Sequence, residues 1–340
     1  MMPFDSRTLR TCGACLAVLL AACGGKNPGQ PPTPVADPPQ IACPADVSVR
    51  GVTGGSQAVT FPSPTVTGGT APVNTACNPA SGASFSLGPT SVSCTANDAS
   101  ARQASCSFTV TVSGLVLGVK RFGAYGDSLT AGENGAGFRP DFVDPGSSYP
   151  TRLQAALEAT YPGQGVVVIN RGEPGKKVYE TEERLPGFLL ADRPEAVLLL
   201  SGYNNLTDNC GPGRANSPAC GEATGEVATG VRDLIRRSKE SPVGVKFIFA
   251  STLTPPGTGP KRIERSAIEE TNRKIRQMVA LEKATLVDTY LLFLGHEAEY
   301  VSADGLHLNP AGYQAIADAF FAAIKATVPQ TSLAPTGAAR

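Results

Sequence analysis

The sequence predicts two folded parts of different class, an all-β sandwich followed by a three-layer α/β/α domain built on a five-stranded parallel sheet. Residues 41–113 are almost free of charged side chains and rich in Val, Thr, Ser, Gly and Pro, a composition typical of short strands joined by turns. From residue 119 onward, short apolar runs alternate with segments of helical periodicity. That alternation indicates a doubly wound sheet, because the crossover between parallel strands usually contains a helix.

Composition limits the class of function before any motif is considered. The chain of 340 residues carries 29 basic and 29 acidic residues, so its formal charge is zero. A nucleic-acid binder needs a basic surface, and we therefore expect no nucleic-acid partner. Tryptophan is absent, which weakens any interpretation based on a broad aromatic platform for sugars.

Residues 1–22 have the pattern of a targeting segment. Arg7 and Arg10 precede an apolar stretch, residues 11–22, that is too short to span a bilayer. The stretch ends Leu-Ala-Ala before Cys23, which resembles the lipobox of bacterial lipoproteins. The resemblance implies that Cys23 becomes the lipidated N-terminus and that the protein is sorted to the outer membrane. An ordinary secretory signal that ends near a cysteine is the alternative.

Residues 23–40 are rich in Pro and Gly and predict an extended tether. With a lipid on Cys23, the tether would hold the folded parts away from a membrane, which is therefore a predicted partner. We expect an exported protein anchored in the cell envelope, at the outer membrane or in the periplasm.

The cysteine count agrees with export. Of nine cysteines, Cys12 and Cys15 would leave with the signal and Cys23 would carry the lipid. Six remain, and an even remainder in an exported protein suggests three disulfides. Cys210 and Cys220 are close in sequence and are expected to close a small loop. The other four leave three possible connectivities: Cys43, Cys77, Cys94 and Cys106.

The sandwich has no cluster of titratable side chains, so we assign it no chemistry. Its strands are predicted at residues 47–49, 58–61, 91–94 and 107–112. The motifs Cys43-Pro-Ala-Asp, Cys77-Asn-Pro-Ala and Val92-Ser-Cys-Thr-Ala-Asn-Asp98 resemble the hyalin-repeat (HYR) module. This resemblance implies an immunoglobulin-like fold at 41–113 and a role in adhesion or spacing, with no protein partner identified.

The α/β domain is predicted at residues 119–326, with a flexible tail at 327–340. In the last helix, Asn309 is the expected cap and Pro310 the first-turn residue. One face of that helix is apolar, with Tyr313, Ile316, Ala317, Phe320 and Ile324. The strands are predicted at 119–125, 166–169, 196–200, 245–250 and 285–287, and the helices at 149–161, 225–239, 263–280 and 310–326.

Polar motifs follow these strands at the points where a doubly wound sheet places its ligands. Ser128 follows the first strand, and Asn170-Arg-Gly172 follows the second. Gly202-Tyr-Asn204 follows the third, and the segment Asp304-Gly-Leu-His307 lies between the fifth strand and the last helix. Because the carboxyl ends of parallel strands meet at one edge, we expect these residues to share a site.

The four motifs, in this order, resemble the SGNH or GDSL hydrolase superfamily over residues 119–326. The resemblance implies a flavodoxin-like α/β/α fold, hydrolysis of carboxylic esters, and signature residues Ser128, Gly172, Asn204 and His307, with Asp304 completing a triad. No cofactor and no metal are implied, and we find no cluster of His, Asp and Glu with ligand spacing.

Each role has a chemical reason. The Ser128 hydroxyl is a weak nucleophile until a base accepts its proton, and His307 is the expected base. Asp304, three residues earlier, would hold the other imidazole nitrogen and stabilise the charged ring. The negative oxygen of the tetrahedral intermediate needs donors, which we assign to the Ser128 N–H, the Gly172 N–H and the Asn204 side-chain amide.

Several neighbours are predicted to act indirectly or not at all. Asp127 is interpreted as a turn and supporting residue, and Glu173 with Pro174 as shaping the pocket. Many members of the superfamily have Asp at position 205, so Asn205 predicts altered orientation without loss of activity. His296 is expected in a solvated loop. The charged run 261–270 is interpreted as the wet face of a helix.

The sequence leaves the substrate open. Residues 133–148 and the Cys210–Cys220 loop are predicted to wall the pocket. We expect the substrate to be a small-molecule or glycan ester. The first interpretation is an esterase that acts on short-acyl esters or lipids. A glycan O-acetylesterase is the second interpretation, and a catalytically inactive surface adhesin is the third.

Overall fold

The computed structural model describes residues 35–135 and 144–332. The predicted signal segment, Cys23 and most of the tether lie outside the described residues. The same holds for residues 136–143 of the predicted pocket wall and for the chain from 333 onward. Among the described residues, no helix combines the length and apolar character needed to cross a membrane.

The N-terminal domain is the predicted β-rich domain. Alternating side chains build its core: Val92, Phe108, Val110 and Val112 are buried between the sheets, while their sequence neighbours are more exposed. Two long antiparallel strands, β7 (Gly88–Asn97) and β8 (Gln103–Leu117), form its centre. The strands in chain order are β1 (Gln40–Ala42), β2 (Val47–Val52), β3 (Ser56–Ala58), β4 (Thr65–Thr67), β5 (Asn74–Asn78), β6 (Ser84–Ser86), β7 (Gly88–Asn97) and β8 (Gln103–Leu117).

Three disulfides join the six cysteines that follow the predicted lipid site. Cys210–Cys220 is confirmed as a short-loop closure. In the sandwich the pairs are Cys43–Cys106 and Cys77–Cys94. Strand register explains the second pair, because Cys77 and Cys94 face each other directly on β5 and β7.

The C-terminal domain contains the predicted five-stranded parallel sheet, with strand order β10-β9-β11-β12-β13. Strand β11 is buried over its whole length, as expected for an interior strand covered on both faces. Strand order reverses at β9, which is where doubly wound folds open a crevice. The strands are β9 (Arg121–Gly126), β10 (Val167–Gly172), β11 (Ala196–Leu200), β12 (Phe247–Ser251) and β13 (Thr285–Val287).

The last helix, α9, has the predicted start and the predicted buried face. The Asn309 side chain accepts a hydrogen bond from the Gly312 N–H at 3.0 Å, with Pro310 in the first turn. The helices are α1 (Ser128–Ala131), α2 (Tyr149–Thr160), α3 (Val178–Asp192), α4 (Tyr203–Asn209), α5 (Pro218–Glu240), α6 (Arg265–Leu281), α7 (Thr289–Phe293), α8 (Glu297–Tyr300) and α9 (Pro310–Thr327).

The two domains share a sheet. The last residues of β8 pair antiparallel with β14 (Gln330–Ser332), which follows α9. The prediction of a flexible tail from 327 is therefore wrong for these three residues, because β8 offers them a free edge. The Gln164 side chain extends the contact by accepting from the Leu117 N–H at 3.0 Å and donating to the Leu115 carbonyl at 2.8 Å.

Candidate active site

The turn after β9 presents Ser128 at the first position of α1. The Asp127 carboxylate caps this helix by accepting from the Leu129 N–H at 3.2 Å. Ser128 is buried, and its N–H lies at a helix start, where no intrahelical acceptor exists.

Folding brings Ser128 and His307 together from opposite ends of the domain. The Ser128 Oγ lies 2.9 Å from the His307 Nε2, and both residues are buried. The His307 Nδ1 lies 2.6 Å from the Asp304 Oδ2. The predicted serine, histidine and aspartate therefore form a continuous hydrogen-bonded chain.

Asp304 is held for this contact by its own loop. Its Oδ1 accepts from the Leu306 N–H at 3.0 Å and from the His307 N–H at 2.9 Å. Burial raises the pKa of this carboxyl, but the hydrogen bonds to His307 and to these N–H groups outweigh burial and lower the pKa to about 2. Asp304 is consequently ionised wherever the protein is folded at ordinary pH.

The loop after β12 packs against the backbone of the loop that carries Asp304. A β-carbon at Gly259 would collide with the backbone of Asp304, so the two backbones approach more closely than any side chain would allow. The Lys261 N–H donates to the Asp304 carbonyl at 2.8 Å. These backbone contacts fix the position of the aspartate without involving its carboxylate.

Asp127 ties the nucleophile turn to the third motif. Its Oδ2 accepts from the Gly202 N–H at 3.1 Å and from the Tyr203 N–H at 3.2 Å. Complete burial raises the pKa of Asp127 to about 6, although the backbone donors and His307 favour its charged form. The supporting role predicted for Asp127 is therefore to connect the end of β9 to the start of α4.

The predicted oxyanion donor Gly172 requires a correction. Its N–H donates to the Asn170 Oδ1 at 2.9 Å, and a β-carbon there would collide with the backbone of Ala131. Gly172 is therefore needed for close packing of β10 against α1, and its N–H is already engaged. The Asn204 side chain is half-buried and donates one of its two hydrogens to the Lys176 carbonyl at 3.0 Å.

A second glycine of the same motif lies in a tight turn beside Asn204. Residues 173–176 form a turn closed by the Lys176 N–H and the Glu173 carbonyl at 3.3 Å. Pro174 at its second position and Gly175 at its third, with φ +78°, indicate a type II turn. Within the described part of the chain, the Gly175 N–H makes no hydrogen bond to a protein acceptor, and a β-carbon there would meet open space.

Two charged residues reach the site that the sequence did not assign to it. Glu133 is buried, and its Oε2 lies 3.5 Å from the His307 Nε2. Lys261 places its Nζ 3.7 Å from the Glu133 Oε1 and 3.8 Å from the Asp304 Oδ2. Lys261 precedes α6, so its interpretation as part of a water-facing helix surface is wrong.

The remaining predicted neighbours fall where expected or outside the site. The Asn205 Oδ1 accepts from the Val178 N–H at 2.9 Å, so the amide holds the start of α3. His296 is exposed and lies 3.2 Å from Glu299. A β-carbon at Gly135 would collide with the Asp304 carboxylate. Residues 133–135, the first part of the segment predicted to line the pocket, therefore lie against the triad. For the Cys210–Cys220 loop, lining the pocket stays a prediction.

No group of three or more His, Cys, Asp or Glu side chains in residues 35–135 and 144–332 is arranged to hold a metal ion. The chemistry open to the site is that of a serine, an imidazole and carboxylates. Such a set suits acyl transfer through a covalent serine intermediate.

Comparison with known protein families identifies the family of each domain. Residues 124–315, more than half of the chain, match the GDSL-like lipase/acylhydrolase family. The chain belongs to the GDSL-like lipase/acylhydrolase family. Residues 36–112 match the HYR domain, so the resemblances to the SGNH or GDSL hydrolases and to the HYR module are confirmed.

Individual relatives are more distant. The spore germination lipase LipC of Bacillus licheniformis is 36% identical over 52 residues, which are 15% of this GDSL-family chain and 24% of that protein. The chain thus matches about a quarter of the length of this curated relative. A lipase/acylhydrolase from Enterococcus faecalis is 20% identical, with 64% and 100% of the two chains covered and a TM-score of 0.48. An acetylxylan esterase from Geobacillus stearothermophilus is 23% identical, with 61% and 95% covered and a TM-score of 0.47.

Proposed function

We propose that this protein is a serine esterase that hydrolyses carboxylic esters through an acyl-serine intermediate. The observation that carries the proposal is the 2.9 Å contact between the Ser128 Oγ and the His307 Nε2, continued at 2.6 Å to Asp304. A serine hydroxyl that faces one imidazole nitrogen, while the other nitrogen faces a carboxylate, is the arrangement that activates a hydroxyl. Membership of a lipase/acylhydrolase family supports the same chemistry.

In the first half of the reaction, the His307 Nε2 takes the Ser128 proton while the Oγ attacks the ester carbonyl. Asp304, ionised because its pKa is about 2, stabilises the imidazolium from the Nδ1 side. The proton then passes from Nε2 to the leaving alcohol, and the acyl group stays on Ser128. Water removes the acyl group in the second half by the same proton path.

For the negative oxygen of the intermediate we propose three donors: the Ser128 N–H, the Gly175 N–H and the second hydrogen of the Asn204 amide. Gly175 replaces Gly172 in this role because the Gly172 N–H is donated to Asn170. The Asn204 bond to the Lys176 carbonyl supports the choice, since it places the amide beside the turn that carries Gly175. Losing one such donor typically lowers kcat about 10²- to 10³-fold.

Covalent labelling tests the proposal. A fluorophosphonate probe is expected to label the folded wild type and to leave Ser128→Ala unlabelled. The matched control is Ser113→Ala, a buried serine of the β domain, which should label like wild type. A folded wild type that neither reacts with the probe nor hydrolyses p-nitrophenyl acetate would instead favour the inactive adhesin.

For the substrate we propose a short-acyl ester. The support is the burial of the reacting groups, since the exposed fractions of Ser128 and His307 are both 3%. A closed nucleophile favours a small acyl group over a long chain. A series of p-nitrophenyl esters from acetate to palmitate, run beside acetylated xylan, is expected to show the highest kcat/KM at the short end, and preference for the glycan would replace this proposal with an O-acetylesterase.

We also propose export with a lipid anchor at Cys23. The support is the targeting pattern before this residue and the three disulfides after it, since disulfides persist in oxidising compartments. Metabolic labelling with an alkynyl fatty acid should mark the wild type, and Cys23→Ala should lose the label and leave the membrane fraction. Equal labelling of the two proteins would contradict the anchor.

A further inference from the structure

We propose that Glu226 is a positioning residue for the oxyanion donors, which acts through Asn205 to hold the turn that carries Gly175. The inference rests on the esterase function and on the three donors proposed above. It adds to the site a residue of helix α5, which lies outside the four sequence motifs. Through the donors, this residue affects the rate of both half-reactions.

Two consecutive asparagines in the first turn of α4 hold the chain that follows the Gly175 turn. The Asn204 side chain donates to the Lys176 carbonyl at 3.0 Å, and the Asn205 Oδ1 accepts from the Val178 N–H at 2.9 Å. Val178 begins α3, so its N–H has no acceptor within its own helix. The Asn205 contact therefore fixes where α3 starts, and with it the position of Gly175 relative to the Asn204 amide.

The Glu226 carboxylate faces the other end of the Asn205 amide. The Asn205 Nδ2 donates to the Glu226 Oε2 at 3.2 Å, and Asn205 itself is fully buried. The Val178 N–H needs an oxygen and the carboxylate needs a donor, so both partners require the same orientation of the amide. A flipped amide would set donor against donor at Val178 and acceptor against acceptor at Glu226. The carboxylate thus keeps the Oδ1 of Asn205 on the start of α3.

Helix α5 packs closely against both helix starts at this point. A β-carbon at Gly202, the residue before α4, would collide with the Val227 side chain. A β-carbon at Gly230 would collide with the Val178 side chain. Glu226 is therefore carried by a part of α5 that is in close contact with the starts of both α3 and α4.

Glu226 is exposed, so its loss should change the orientation of Asn205 more than the stability of the fold. Water that replaces the carboxylate can donate as well as accept, and it no longer selects one orientation of the amide. An aspartate at position 205 would not need this selection, because either of its two oxygens can accept from the Val178 N–H. Asn205→Asp should therefore compensate for the loss of Glu226, which a purely structural role does not predict.

The test is Glu226→Ala in steady-state hydrolysis of p-nitrophenyl acetate. We expect kcat to fall about 10-fold with KM within about twofold of wild type, because the misplaced donors serve the tetrahedral intermediate and not the bound ester. Glu226→Gln, whose side-chain oxygen can still accept from Asn205, should keep kcat within about threefold of wild type. Adding Asn205→Asp to Glu226→Ala should return kcat to within about threefold of wild type. If Glu226→Ala does not fold, Glu226→Lys takes its place, since an ammonium group cannot accept from the amide.

Glu222→Ala is the matched control, because Glu222 is an exposed glutamate earlier on the same helix. It should leave kcat and KM unchanged. A kcat of Glu226→Ala within about twofold of wild type, or a double variant no faster than Glu226→Ala, would overturn the role of Glu226. If wild type and Glu222→Ala release no nitrophenolate at all, the esterase proposal fails instead.

Discussion

Replacing Asp304 by asparagine should inactivate the enzyme by fixing the wrong tautomer of His307. The Asp304 Oδ1 accepts two backbone N–H groups, from Leu306 at 3.0 Å and His307 at 2.9 Å. In Asp304→Asn the amide oxygen must take that place, because an NH2 group there would face two donors. The NH2 then points at Nδ1, which must accept, so the proton of the neutral ring lies on Nε2.

A protonated Nε2 no longer accepts the Ser128 proton. The loss expected for a triad locked in this tautomer is about 10⁴-fold in kcat, or roughly 5 kcal/mol, with little change in KM. Because the pKa of Asp304 is lowered to about 2, its stabilising contribution is present at neutral pH and lost only as pH falls toward that value. Two pKa units correspond to roughly 2–3 kcal/mol of folding free energy that the variant lacks at pH 7.

The assay is steady-state hydrolysis of p-nitrophenyl acetate between about pH 5 and 8, with urea unfolding to measure stability. Asp98→Asn is the control, since the Asp98 Oδ1 likewise accepts two backbone N–H groups, from Ser100 and Arg102, in the other domain. It should alter stability and leave kcat within about twofold. If folded Asp304→Asn keeps more than about a tenth of the wild-type kcat, the tautomer argument is refuted.

Three further outcomes are expected. His307→Ala should lower kcat about 10⁴-fold, and adding Ser128→Ala should cost little more, because relay members act as a unit; additive losses in assays of the single and double variants would contradict a relay. The pKa of Asp127 is raised to about 6, so its contribution to stability is lost as pH rises from about 4 to about 6. In urea unfolding experiments, the free energy of unfolding of the wild type should fall by about 3 kcal/mol more than that of Asp127→Asn between about pH 4 and 6. Equal pH dependence of this free energy in the two proteins would refute the raised pKa of Asp127. The double variant Cys210→Ala and Cys220→Ala should lower the free energy of unfolding by about 3 kcal/mol in the same assay, and an unchanged urea midpoint would show that the disulfide does not constrain the unfolded chain.

Regular elements with strong local signals were predictable from the sequence. Strand β11 is five consecutive apolar residues, and its predicted and observed bounds coincide. The start of α9 carries both an Asn cap and a first-turn Pro. In such segments burial and backbone preference favour the same conformation.

Helix α3 escaped prediction because its local signals conflict. Pro186 and Gly187 interrupt α3, and polar Thr181 and Asp192 take places on its buried face. The helix still forms because Leu185 and its neighbours on that face pack against the sheet while Pro186 lies on the exposed side. Tertiary packing therefore overrides local propensity here.

The triad was predictable from motif order, whereas its surroundings were not. Glu133 lies 171 residues before Asp304, and Lys261 lies 43 residues before it. Only folding brings these side chains to Asp304 and His307, and no local sequence pattern connects them. The choice between Gly172 and Gly175 likewise depends on which N–H the fold leaves available. Hydrogen-bond partners are a property of the folded chain, so sequence alone assigns such roles poorly.

The strand β14 makes any excised catalytic fragment a poor reagent. A fragment that begins at residue 119 would lack Leu117, whose side chain lies in the core of the α/β domain, and would leave β14 without its partner strand. An unpaired strand edge beside a missing core residue invites aggregation. The two domains are therefore best produced in one chain, because β14 completes the sheet of the N-terminal domain and Leu117 completes the core of the C-terminal domain.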